Sequence, residues 1–246
     1  MDPVRLKARA SFEALARGDA EAYAACFLPE GIQEGPMGGV LQGREALQGF
    51  VRDLTSRLGL QAFTEDGYFT RGSEVALAWT GVAGAGGGEL RFPGISHWSH
   101  APSGHIRHLR IFHDLPALQA GVRTPLPPLV PAWMAGMDAG DAATLSELLA
   151  PDAEMDGMVS GGTLRGAPVL ARHLAHVLKM NGSPRFHLEA SFELDGQLAL
   201  RWVGVTTSRT FKGITLLTSG DGQRVEVLRQ FWGAETASGD GGGEAS

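Results

Sequence analysis

The sequence predicts an α+β fold class in duplicate: two tandem domains, each of three N-terminal helices packed on a mostly antiparallel β-sheet. Three observations lead there. The first is an internal repeat, the signal to seek before any other. Arg17-Gly-Asp-Ala20 returns as Ala139-Gly-Asp-Ala142, Leu41-Gln-Gly43 as Leu164-Arg-Gly166, and Val75-Ala-Leu-Ala-Trp-Thr-Gly-Val82 as Leu198-Ala-Leu-Arg-Trp-Val-Gly-Val205. Phe92-Pro-Gly-Ile95 returns as Phe211-Lys-Gly-Ile214, and Leu109-Arg-Ile-Phe112 as Leu228-Arg-Gln-Phe231, in the same order. The second is a break between the copies, Thr124-Pro-Leu-Pro-Pro-Leu-Val-Pro131, whose prolines predict a stiff, extended linker. The third is that helical patterning precedes strand patterning in each copy. The expected organisation is therefore copy one over residues 1–122, a linker over 123–131, copy two over 132–234, and a disordered tail over 235–246.

In copy one, Leu6, Phe12 and Leu15 recur at helical spacing over Val4–Ala16, and Gly18 ends that run. Asp19 is placed to cap a second helix, Ala20–Phe27, stopped by Pro29. A third covers about Arg44–Leu58. Strands are expected at Leu60–Thr70, Glu74–Val82, Gly88–Ala101 and His105–Asp114, the last two joined as a hairpin by Ala101-Pro-Ser-Gly104. The glycines at 84–88 precede no Gly-Lys-Ser/Thr and no strand-to-helix switch, so they predict a flexible connection and not a phosphate loop.

Composition narrows the function. The chain has 246 residues, 43% of them hydrophobic and 20% charged, enough for packed cores. Its 21 basic and 27 acidic residues leave a net charge of −6. That argues against a nucleic-acid or anionic-membrane partner, which demands a basic face. No apolar run approaches the ~20 residues of a membrane span, and the N-terminus is not patterned as a signal peptide. Cys26, the single cysteine, sits among apolar residues and reads as a small buried hydrophobe. These features predict a cytoplasmic protein without cofactor or metal. Five of the eight histidines fall between His97 and His113. His97 and His108 are expected to be cross-strand neighbours on the outer face, where a contact between the two copies fits better than a metal site. His173 and His176, three apart, read as a helix face.

The ordered set of helix, Gly-Asp, helix, Phe27-Leu-Pro-Glu-Gly31, Leu41-Gln-Gly-Arg-Glu-Ala-Leu47 and then a sheet resembles the nuclear transport factor 2-like superfamily. Within it, the pattern is most similar to SnoaL-like polyketide cyclases and ketosteroid isomerases. The resemblance spans roughly residues 4–118 and 129–233. It implies that each copy is cone-shaped, with a cavity between helices and sheet, and that the two fused copies form a monomeric pseudo-dimer or a homodimer of such chains. This fold hosts several reactions as well as inert binders. Aligned with the isomerase pattern, the general-base aspartate falls on Gly35, the oxyanion-hole tyrosine near Ser11, and the protonated aspartate on Ser96. In copy two the same places hold Gly157, Trp133 and Thr215. The resemblance therefore implies the fold without the standard acid–base residues.

Strand alternation supplies the facing independently. If His100 pairs with His105, then Trp98 faces Arg107, Ser96 faces Leu109 and Phe92 faces His113, all on one side. His97, Ser99, His108 and Arg110 take the other side. In copy two Phe211, Thr215, Leu217, Leu228, Gln230 and Trp232 share the equivalent inner face. The candidate catalytic residues are then His113 and Glu34 for moving protons, with His100 and Ser96 orienting an oxygen. Phe50, Trp79, Trp98 and Phe92 are expected as ligand walls in copy one, and Trp133, His173, Trp202 and Trp232 in a more apolar copy two. Asp156 occupies the place of Glu34 in copy two. The function expected is a cofactor-independent enzyme that cyclises, isomerises or dehydrates a small hydrophobic, polyketide-like metabolite. The alternative is a protein that binds or sequesters such a small hydrophobic or aromatic ligand.

Overall fold

The computed structural model describes residues 3–85, 88–115, 124–156 and 162–235. Copy one runs α1 (Pro3–Ala16), α2 (Ala20–Ala24), β1 (Phe27–Gly35), β2 (Gly39–Gln42), α3 (Gly43–Leu58), β3 (Leu60–Arg71), β4 (Glu74–Ala85), β5 (Gly88–His100) and β6 (Ile106–Phe112). Copy two repeats it as α4 (Leu129–Ala139), α5 (Ala142–Glu147), β7 (Leu149–Asp156), β8 (Thr163–Arg165), α6 (Ala167–Met180), β9 (Arg185–Leu194), β10 (Gln197–Val205), β11 (Thr210–Thr218) and β12 (Val225–Glu235). Each copy holds one six-stranded sheet, in the orders β2-β1-β6-β5-β4-β3 and β8-β7-β12-β11-β10-β9. All pairings are antiparallel except β1 with β6 and β7 with β12, so the sheet is mixed.

The repeated Gly-Asp pairs do the same work in both copies. Gly18 (φ +67°) and Gly140 (φ +64°) take the left-handed conformation at the end of the first helix. Asp19 then caps α2 by accepting from the Ala22 amide at 3.0 Å, and Asp141 caps α5 by accepting from Thr144 at 2.8 Å. Beyond the cap, α2 stops at Ala24 and not at Phe27, and the chain enters β1, a strand the sequence reading lacks. Pro29 does not prevent it, because the β1–β6 register is broken between Phe27 and Ile32, where no ladder bond is required of Pro29. The linker also ends earlier than expected: α4 begins at Leu129 and carries Pro131 in its first turn, where a missing N–H costs nothing. The glycine connection at 86–87 and residues 236–246 of the tail lie outside the described residues.

Alternation along the long strands divides two environments. Val75, Leu77 and Trp79 of β4 join the helices in the core of copy one, while Ala76 and Ala78 point the other way. Leu198, Leu200 and Trp202 of β10 do likewise in copy two, with Ala199 turned outward. The outward residues do not meet water. Ala76, Ala78, Ile95 and Phe112 pack against Phe192, Ala199, Ile214, Leu216 and Phe231, so the two sheets lie face to face. Covering both faces explains why β4 is buried almost continuously where a half-solvated strand alternates. Ion pairs frame this apolar seam: Arg201–Asp66 (2.8 Å), Arg71–Asp156 (3.4 Å) and Arg229–Glu74 (3.4 Å). His97 belongs to the seam, its ring 5.7 Å from that of Phe231, as the expected contact between copies requires.

Among the described residues no helix is long and apolar enough to cross a membrane. Nor does any group of three or more His, Cys, Asp or Glu among them stand in position to hold a metal ion.

Candidate functional site

The cone of copy one lies between α1, α3 and the inner face of β3–β6. Two small compartments open inside it. The outer, about 40 Å³, is lined by Met37, Phe50, Leu54, Phe92 and His113. The inner, about 20 Å³, is lined by Ser11, Tyr23, Ser96 and Trp98. Phe12, Leu15 and Ile111 wall both. Such volumes admit water but no ligand of substrate size, which occupies several hundred Å³.

Trp79 is the keystone of the lining. Its indole Nε1 donates to Ser96 Oγ at 2.9 Å, and its ring lies over Gly94, where a Cβ would stand 2.2 Å from the indole. Copy two repeats the arrangement: Trp202 Nε1 donates to Thr215 Oγ1 at 2.8 Å, over Gly213. Ser96 therefore serves first as the acceptor that satisfies a buried indole. Phe12, Phe63 and Phe92 pack edge-on or tilted around Trp79 at centroid distances of 5.9, 5.3 and 5.8 Å.

His113 follows β6 and turns into the outer compartment, its ring 5.9 Å from Phe92 and 6.2 Å from Trp79. Burial pushes its pKa down from 6.5 to about 4, so the ring is neutral at pH 7. Its Nδ1 accepts from the Leu115 amide at 3.2 Å, which assigns the ring proton to Nε2. In that tautomer the imidazole offers a donor, not a base, at its free edge.

Glu34 lies on the opposite face of the sheet. Its carboxylate accepts from Arg110 Nε at 2.6 Å, and His108 Nε2 stands 3.1 Å from its other oxygen, both on the outer side of β6. The reason is alternation. Gln33 and Gly35 point into the cone, Gln33 to accept from Tyr23 Oη at 2.5 Å, and the residue between them must point out. Burial alone would raise the Glu34 pKa, but Arg110 and His108 outweigh it and hold the carboxyl below its ordinary value. Asp156 repeats this outward placement in copy two, 3.7 Å from Arg229. His100 is separated from the cone too. A register break after Ser99 turns it to the hairpin end, where Nδ1 sits 3.0 Å from the Ala101 carbonyl.

The hairpin register itself differs from the expected one by two residues: Trp98 pairs with Leu109 and Ser96 with Ile111. A shift of two preserves facing, so Phe92, Ser96, Trp98, Leu109 and His113 keep the inner side, whereas at the break His100 and the exposed Arg107 leave it and Ile106 takes the inner place. Copy two's inner set also holds. Trp202, Phe211, Gln230 and Trp232 line a pocket of about 30 Å³ beside α6. Trp133 is packed in the core instead, 1% exposed. His173 lies on α6 outside that lining, its buried Nε2 without a hydrogen-bond partner among the described residues.

One feature was absent from the sequence reading. Between α1 and β3, adjoining the outer compartment through Phe63 and Trp79, runs an open cleft of about 640 Å³ lined also by Arg5, Arg9, Glu13, Arg17 and Glu65. Phe12 forms its floor and also walls both cone compartments. The signal was legible in the four-residue steps of Arg5, Arg9, Glu13 and Arg17, which align such side chains along one flank of a helix.

Three helices closing a six-stranded sheet around an apolar cone, twice in one chain, define a tandem α+β protein of the nuclear transport factor 2-like class. The chain belongs to the SnoaL-like domain family, whose pattern matches residues 8–109 and again 130–234. No curated protein sequence matches it. Similar solved structures each cover about half the chain. A nuclear transport factor 2-like protein from Burkholderia pseudomallei K96243 shares 17% identity over 50% of this chain and 100% of its own, with a TM-score of 0.45. A ketosteroid isomerase-fold protein from Catenulispora acidiphila DSM 44928, in complex with trimethylamine, shares 16% over 48% and 97%, with a TM-score of 0.43. An epoxide hydrolase of the LEH-like type from M. tuberculosis shares 17% over 49% and 89%, with a TM-score of 0.42.

Proposed function

We propose that this chain binds a small, mainly apolar molecule in the cone of copy one, without a carboxylate acid–base pair. The observation that carries the reading is the direction of Glu34, held on the outer face by Arg110 and His108. With Glu34 and His100 turned elsewhere and Ser96 accepting from Trp79, His113 is left as a neutral hydrogen-bond donor among Phe50, Trp79 and Phe92. Aromatic walls with one donor suit a flat apolar ligand carrying a single oxygen acceptor. Trp98 adds a buried Nε1 without a partner among the described residues, a second donor for such an oxygen or for a water. Binding requires Phe12 to swing, since it divides the compartments. Copy two, with Trp202 and Trp232 around a smaller space, is the structural half. A cytoplasmic setting and a single-chain pseudo-dimer complete the proposal.

The catalytic alternative, cyclisation, isomerisation or dehydration, is left with His113 alone to move protons. Incubating the pure protein with a small-molecule extract of the source organism separates the two readings. Mass spectrometry finding a compound retained unchanged, one per chain, supports binding. An isomeric or water-shifted product formed at substoichiometric protein overturns it in favour of the enzyme.

A further inference from the structure

The α1–β3 cleft has the dimensions that the cone lacks. We infer that it is a binding site for an amphipathic anion: an aromatic body bearing a carboxylate or sulfonate-like group. The inference does not rest on the cone taking any ligand.

Three features support it. The cleft's volume, about 640 Å³, lies within the range of small-molecule sites, whereas the cone compartments do not. Its floor is aromatic: Phe12 and Phe63 stand 4.8 Å apart with rings at 61°, and Trp79 lies 5.3 Å from Phe63. Its rim is cationic in a chain whose net charge is −6. Three arginines there face two carboxylates, Glu13 and Glu65. Arg5 is committed, ion-paired to Glu65 and set 5.1 Å over the Tyr68 ring. Arg17 is held only loosely, 3.9 Å from Glu13. Arg9 has no carboxylate within ion-pair distance among the described residues. Arg9 and Arg17 thus present guanidinium groups beside an apolar floor of rings that meet edge to face, and a carboxylate or sulfonate answers their forked donors. An apolar ligand without charge would leave that rim unused. A polyanion would meet Glu13 and Glu65.

The test uses a matched pair of fluorescent probes, anilinonaphthalene sulfonate and its neutral analogue phenylnaphthylamine. Titrated into the full chain, the sulfonate should bind more tightly than the neutral probe. Its affinity should fall as sodium chloride rises from about 0.05 to about 0.5 M. The double variant R9Q/R17Q should weaken the sulfonate about tenfold, the loss expected for charge-assisted contacts at a partly exposed rim. R52Q/R57Q, which removes the same charge from the exposed face of α3, should leave its affinity unchanged. Circular dichroism confirms that both variants fold, which is expected for exposed positions. Equal binding of the two probes, or a sulfonate affinity indifferent to R9Q/R17Q, would overturn the inference while leaving cone binding intact. So would an equal loss in R52Q/R57Q, which marks an effect of net charge alone.

Discussion

Arg110 and Arg229 occupy equivalent positions in the two copies, and each guanidinium crosses to the start of the other copy's long inner strand. Arg110 lies 3.4 Å from Gln197 Oε1, and Arg229 lies 3.4 Å from Glu74 Oε1. At home each also holds the equivalent carboxylate, Glu34 at 2.6 Å and Asp156 at 3.7 Å. Glu34, the carboxylate that sequence position offers as a catalytic candidate, and its counterpart Asp156 are therefore members of a pseudo-symmetric clasp between the sheets.

Glu34→Gln tests that assignment. It should lower unfolding free energy by about 1 kcal/mol, as expected for a half-buried ion pair with good geometry, and leave ligand affinity unchanged. Urea denaturation and tryptophan-fluorescence titration measure the two effects. A variant of wild-type stability that loses affinity or turnover would return Glu34 to the site.

Gly94→Ala and Gly213→Ala should both be severely destabilising, by about 3 kcal/mol or more, because the added methyl meets an indole at 2.2 or 2.3 Å. Gly39→Ala, where no atom lies within 4 Å, is a useful contrast: any loss there comes from its φ of +61° and not from crowding. Urea midpoints should rank the three with the strand glycines far below.

Ser96→Ala and Thr215→Val leave the indole of Trp79 or Trp202 without its acceptor. Each should cost about 1–3 kcal/mol, the penalty of an unsatisfied buried donor. If the two Trp–hydroxyl pairs are equivalent scaffolding, the costs agree. A much larger effect of Ser96→Ala on ligand affinity than on stability would give Ser96 a role at the ligand.

His113 makes stability depend on pH in a defined window. The native pKa, about 4, lies below the ordinary 6.5, so between those values the unfolded chain binds more protons than the native one. Stability is then present above pH 6.5 and lost as pH falls toward 4, by at most about 3 kcal/mol. Glu74, held at about 2 despite its burial because His97 and Arg71 favour its charge, acts in the next window. Its contribution is present above about pH 4.5 and lost toward pH 2. Urea titrations of wild type and His113→Asn between pH 4 and 7 should differ in slope, with the variant flatter.

The duplication, the helix caps and the inner faces of β5, β6, β11 and β12 were legible because each leaves a local signature: a repeated string, a Gly-Asp pair, a period of two. Facing even survived a register error, since Trp98 meeting Leu109 in place of Arg107 keeps parity. What escaped depends on tertiary placement. Pro29 hid β1, and without β1 as a strand nothing forced Glu34 to alternate away from Gln33. His100 was lost to a single irregularity after Ser99. The arginine flank of α1 carried a readable spacing, but only its neighbour β3, distant in sequence, turns that flank into a cleft.

The face-to-face seam has a consequence for how the two halves can differ. Because both sheets belong to one chain, each meets the other at an effective concentration in about the millimolar range, and dilution does not part them. In an assembly of identical subunits every change at such a seam is made twice, so opposite ends must match. Here they do not: Arg110 ends on an amide and Arg229 on a carboxylate. Joining the halves releases each from copying its twin, and one can become furniture while the other keeps a trade.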